Sequence, residues 1–178
     1  MVQFFLIIGF LFFSTGCFDG VPDKKVLFDF ESDTDLDRIN WRCHTLFSLS
    51  DEYVTHGTRS LRMELYPSDY PGFSPILNSH NWCEYSSLYL DIFNPDNSNV
   101  SIVLRIDDKE MSPEYADRYN KRFQLNSGMN HLKISLNTLL TSGTHRPLSL
   151  KNIVRFTLFK VRPKEKYIFY MDHIYLSM

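Results

Sequence analysis

Between residues 87 and 107 the chain runs through two successive stretches of alternating side chains. Leu88, Leu90 and Ile92 alternate with Tyr89, Asp91 and Phe93; after Asn94-Pro95-Asp96-Asn97 the rhythm resumes with Val100, Ile102, Leu104 and Ile106. Successive side chains of an extended chain point to opposite faces, so this period of two predicts strands over 87–94 and 100–107, each burying one face. The Asn-Pro-Asp-Asn run has turn chemistry, and the whole unit predicts a hairpin.

The same reading extends along the chain. Residues 26–31 form a first strand, and residues 59–66 set Leu61, Met63 and Leu65 against Arg62, Glu64 and Tyr66. Segments 122–125 and 131–136 flank Asn126-Ser127-Gly128, and segments 153–161 and 167–176 flank Arg162-Pro163-Lys164-Glu165-Lys166. Only residues 135–140 have a helical pattern. With ten Tyr, fifteen Phe and only seven Gly, the composition also favours strands. About eight or nine short strands and almost no helix predict an all-β fold, a β-sandwich or jelly roll. The formal net charge is −2 and Lys and Arg form no run, which excludes the basic footprint that a nucleic acid requires.

The apolar run over residues 4–13 ends in Ser14-Thr15-Gly16-Cys17. This layout resembles a bacterial lipoprotein signal, in which the segment before the cysteine is removed and the cysteine thiol is acylated. The run is shorter than the ~20 apolar residues of a bilayer-spanning helix. The resemblance implies a signal over residues 1–16, lipidated Cys17 with a polar tether over 17–25, and one folded domain over 26–178. It places the protein in a bacterial cell envelope, membrane-anchored and facing the periplasm or the cell surface; plain secretion is the alternative. Cys43 and Cys83 each follow a tryptophan in Trp41-Arg42-Cys43 and Trp82-Cys83. In an oxidising compartment they either pair, closing a loop worth about 4 kcal/mol, or stay as two buried free thiols. Neither belongs to a Cys-x-x-Cys pair, which leaves zinc or redox chemistry without support.

Three segments carry a second resemblance: Phe28-Asp29-Phe30-Glu31 at the start of the domain, His56-Gly57-Thr58-Arg59-Ser60-Leu61-Arg62-Met63, and Tyr170-Met171-Asp172-His173-Ile174-Tyr175-Leu176 at its end. They resemble the galactose-binding-like jelly roll of carbohydrate-binding modules, particularly those related to family 11. The resemblance implies that the first and last strands lie side by side. It also implies a structural calcium held by Asp29, Glu31 and Asp172 with carbonyl oxygens of the 56–59 turn, since calcium takes 6–8 oxygen ligands. The alternative is that these carboxylates satisfy loop amides or pair with a basic residue.

Arg105-Ile106-Asp107-Asp108 and Tyr115-Ala116-Asp117-Arg118-Tyr119-Asn120-Lys121-Arg122-Phe123 resemble a pattern in uncharacterised bacterial domains of the same jelly-roll type. By strand parity Arg105 and Asp107 point away from the core, and Arg122 shares a face with Gln124. A loop over 109–119 that folds back gathers Arg105, Asp107, Asp117, Arg118 and Arg122 into a charged cluster, which Tyr89 and Asp91 extend on a neighbouring strand. Aromatic rings stack on the apolar face of a sugar while carboxylates and guanidinium groups take its hydroxyls. The bland alternative is a set of cross-strand ion pairs.

For catalysis, Asp107, Asp108, Glu110 and Glu114 offer carboxylates, but their spacing does not set the roughly 5–10 Å separation of a glycosidase pair. No His-Glu-x-x-His or Gly-x-Ser-x-Gly motif is present. The sequence therefore predicts a monomeric, non-catalytic domain that binds a glycan or envelope polysaccharide. A docking module of the envelope and a small polysaccharide-active enzyme are the alternatives.

Overall fold

The computed structural model describes residues 22–40, 43–110 and 114–178, so the leader and Cys17 lie outside the described residues. The strands are β1 (Lys24–Phe28), β2 (Ile39–Asn40), β3 (Thr45–Ser50), β4 (Ser60–Leu65), β5 (Gly72–Pro75), β6 (Ser87–Asn94), β7 (Val100–Asp107), β8 (Tyr119–Leu125), β9 (Gly128–Ser135), β10 (Arg155–Phe159) and β11 (Tyr167–Ser177). All described pairings are antiparallel. One sheet runs β3-β4-β11-β6-β9 with β1 also on β11, and the other runs β2-β5-β10-β7-β8. The β-sandwich expected from alternation is present, with more strands than expected because β2, β3 and β5 are short or carry weak patterns. The first strand begins at Lys24, inside the segment expected to be tether. Residues 136–138 form only a 3-10 turn, while among the described residues the one α-helical turn lies at Thr34–Asp37.

The hairpin expected at residues 94–97 is not one. β6 pairs with β11 and β9, and β7 pairs with β10 and β8, so the chain arches from one sheet to the other. The same holds for β8 and β9 and for β10 and β11. A period of two reports a buried face; it does not report whether the next strand hydrogen-bonds alongside or packs face to face. In the arch, Leu88, Leu90 and Ile92 meet Ile102, Leu104 and Ile106 across the core, all 2% exposed or less. Each such side chain contributes about 1.5–3 kcal/mol by leaving water.

The last strand organises the first sheet. β11 pairs with β6 along one edge, while β4 takes its first half and β1 its second half along the other. The register shifts between Asp172 and Tyr175 and between Val26 and Phe28, and His173 there has φ 46°, the geometry of a bulge. The first and last strands are thus neighbours, as the resemblance implied. In the second sheet, Gly72 allows β5 to close on β10: a Cβ there would lie 2.1 Å from the Leu158 carbonyl oxygen. Phe73 of β5 fills the core edge-on to Phe28, Phe30 and Phe156.

Cys43 and Cys83 are both exposed free thiols, neither paired nor buried as the sequence alternatives had it. Trp82 occupies the core with 0% exposure and donates its indole N–H to the Ser79 carbonyl at 3.0 Å, leaving the next residue, Cys83, to face solvent.

Candidate functional site

The outer face of the five-stranded sheet is built by register. Asn120 of β8 lies opposite Arg105 of β7, which lies opposite Thr157 of β10; one step along, Arg122 lies opposite Val103, and Val103 opposite Phe159. Tyr70 stands edge-on to the Phe159 ring at 5.7 Å. These residues, with Tyr115, Arg118 and Val161, line a cleft of about 370 Å³, within the range of small-ligand sites. Tyr115 projects at 70% exposure.

Arg105, Arg118 and Arg122 therefore come together, as expected from the sequence. Asp107 does not reach the cleft surface. Its side chain is fully buried, accepting from Arg105 Nε at 3.0 Å and from Arg155 Nη1 at 2.7 Å. It points away from the core as parity predicts, but two guanidinium groups cover it, and it orients Arg105.

Asp117 is also absent from the cleft lining. It pairs with Lys109 and accepts from Arg146 Nε at 2.9 Å. The Arg146 guanidinium also grips Asp108 through Nη1 and Nη2 at 2.7 and 2.9 Å, and Asp108 accepts from the Ser149 amide at 2.7 Å. Arg146 holds the Asp108 carboxyl below the usual carboxylate range against the opposing effect of burial. Lys109 and then Arg146 hold Asp117 down in the same way. The Gly143 and Thr144 amides donate to the Ala116 carbonyl at 2.9 and 3.0 Å. Asp117 and Arg146 thus fix the 3-10 turn Tyr115–Asp117 that carries Tyr115 to the rim.

Tyr89 and Asp91 are not on this surface. β6 belongs to the opposite sheet, where Tyr89 stacks on Tyr175 at 5.0 Å and Asp91 bonds His131 Nδ1 at 2.6 Å. The expected extension fails because it assumed that β6 and β7 share a sheet. The 51–59 loop lies over part of that opposite outer face. Tyr53 stacks on Phe93 at 3.6 Å and meets Tyr170 at 4.7 Å, and His56 stacks on His173 at 4.3 Å.

Two of the three residues expected to hold calcium clasp this covering loop. Asp172 Oδ2 accepts from the Thr55 and His56 amides at 2.7 and 2.9 Å and from the Thr55 hydroxyl at 3.2 Å; Oδ1 accepts from the His173 amide at 2.7 Å. Burial pushes the Asp172 carboxyl up, while these amides draw it back. Glu31 Oε1 accepts from the Thr58 and Arg59 amides, both at 2.8 Å, and Oε2 from the Thr58 hydroxyl at 2.8 Å. Asp29 follows β1 and is partly buried. Among the described residues no group of three or more His, Cys, Asp or Glu is placed to share a cation. With the Glu31 and Asp172 oxygens directed at N–H and O–H donors, this donor set fits a loop clasp and does not fit an oxygen cage for calcium.

Sequence reasoning missed Tyr70, Asn120, Thr157, Phe159 and Val161 as cleft residues, and Arg146 and Arg155 as their supports. The alternation Arg155, Thr157, Phe159 held a usable signal. Arg146 held none, being 38 residues from its partner Asp108.

No family model matches the sequence, and no curated protein matches it. Solved structures do match. A family 11 carbohydrate-binding module from Clostridium thermocellum, in complex with a β-1,3-1,4-mixed-linked tetrasaccharide, superposes with a TM-score of 0.65 at 17% identity over 89% of this chain and 97% of that one. A xylan-binding domain from Paenibacillus barcinonensis gives 0.57 at 12% identity over 89% and 97%. An exo-β-agarase gives 0.68 at 16% identity over 85% of this chain and only 24% of the agarase. The chain shares the β-sandwich jelly-roll fold of these modules.

Proposed function

We propose that this chain is a non-catalytic glycan-binding domain whose site is the cleft on the outer face of the five-stranded sheet. The observation that carries the reading is the asymmetry of the two outer faces. On the six-stranded sheet the chain's own 51–59 loop lies over Phe93, Tyr170 and His173, whereas the five-stranded sheet leaves open a cleft lined by Tyr70, Tyr115, Phe159 and three arginines. Planar rings beside fixed hydrogen-bonding groups are what a pyranose needs. The fold shared with carbohydrate-binding modules supports the same reading, although fold alone does not assign a ligand.

Asp107 and Asp108, the carboxylates nearest a catalytic arrangement, are each saturated by arginine, which favours binding over hydrolysis. The leader expected over residues 1–16 and acylation of Cys17 would present the domain at an envelope surface; the mass of the mature amino terminus tests that setting.

A glycan array probed with the wild type and with Tyr115→Ala tests the site. Tyr115 is exposed, so its loss leaves the fold intact. The expected result is wild-type binding to at least one glycan and signal reduced about tenfold in the variant, about 1.4 kcal/mol. Binding to no glycan would support a protein-docking role for this face instead.

A further inference from the structure

The cleft carries cationic donors and no anionic acceptor. Its lining has three arginines and no Asp or Glu. Asp107 beneath it is spent on Arg105 and Arg155, two guanidinium groups against one carboxylate. Arg122 is exposed, and no carboxylate pairs with it among the described residues. Beside these cations the Asn120 side-chain Nδ2 is buried with no hydrogen-bond partner. A buried donor left unmade is costly, and its residue belongs to the cleft lining, paired in register with Arg105. Asn120 and Arg122 are two positions apart on β8, about 7 Å along one face.

Guanidinium groups and an amide N–H₂ donate and do not accept. Sugar hydroxyls do both, and for their protons the lining offers only neutral acceptors, the Tyr70, Tyr115 and Thr157 hydroxyls and the Asn120 amide oxygen, so a neutral sugar brings no charge to Arg122. A carboxylate or a sulfate ester is acceptor-only and pairs with arginine in bidentate fashion. Resting on the reading of the cleft as a glycan site, we infer that its ligand is an acidic polysaccharide, with the acidic group of one residue seated among Arg105, Asn120 and Arg122 and the adjoining ring against Tyr115 or Phe159.

Calorimetric titration separates the outcomes. The probes are a polygalacturonate oligosaccharide for carboxylate, a chondroitin sulfate oligosaccharide for sulfate, a mixed-linkage β-glucan and agarose oligosaccharides as neutral sugars, and single-stranded DNA as a generic polyanion. The wild type, Arg122→Ala, Arg122→Lys and Asn120→Ala are compared at low and high salt. The expected result is that one acidic sugar binds about tenfold tighter than either neutral one, weakens with salt, and loses about tenfold on Arg122→Ala with only partial recovery by lysine. Asn120→Ala weakens binding without lowering the melting temperature, because it removes an unsatisfied donor rather than a contact. Binding only to neutral sugars overturns this inference and leaves the glycan site standing. Equal binding to DNA overturns it as nonspecific, and binding to no sugar overturns both readings.

Discussion

Arg146 shows how one side chain can set a site it never touches. It ties Asp108 to Asp117, so the 3-10 turn holding Tyr115 is fixed from behind. Asp108 is held below the usual carboxylate range by that pairing, and Glu64 is brought to about 2, chiefly by Arg62 and then Tyr66 and Lys166. A depressed carboxyl adds stability that is complete above its unfolded value and is lost as pH falls through the folded one. The melting temperature should therefore be level near neutrality and decline from about pH 5 downward. Arg146→Met strands the Asp108 carboxylate at neutral pH and should cost about 1–3 kcal/mol. The gap from wild type should narrow in acid, where protonated Asp108 no longer needs a cation. A gap that stayed constant between neutral pH and about pH 2.5 would remove Arg146 from this role.

At the scale of elements, the loop over residues 51–59 owes its place to two carboxylates at opposite ends of the domain sequence, Glu31 and Asp172. Their importance was legible in the sequence, because the segments carrying them mark the first and last strands. Their task was not, since an Asp or Glu at a loop mouth reads equally well as a calcium ligand or as an amide acceptor. Asp172→Ala should speed hydrogen exchange at the Thr55 and His56 amides and cost about 1–3 kcal/mol, while protection in β7, β8 and β10 stays as it was. For the wild type, a chelator should leave the melting temperature unchanged. Unaltered exchange at Thr55 and His56, or a melting temperature lowered by chelator, would contradict the clasp. The strands flanking the site were equally legible: the outward parity of Arg105 and Arg122 follows from alternation alone, and the structure keeps it.

Across the whole molecule, the sequence pattern identified the faces and misplaced their neighbours. Tyr89 and Asp91 were assigned to the cleft because β6 and β7 are adjacent in the chain, yet an arch sends them to opposite sheets. Local turn chemistry is the same for a hairpin and an arch; only the packing of the shared core decides between them. That topology gives the domain two outer faces, one partly covered by its own 51–59 loop and one carrying the cleft. Nuclear magnetic resonance titration of the labelled protein with a glycan it binds tests most directly which face is the site. The account predicts that amide shifts move along β7, β8 and β10, around Arg105, Asn120, Arg122 and Phe159, while Tyr89, Asp91 and Tyr175 stay still. Shifts confined to β6, β9 and β11 would contradict it.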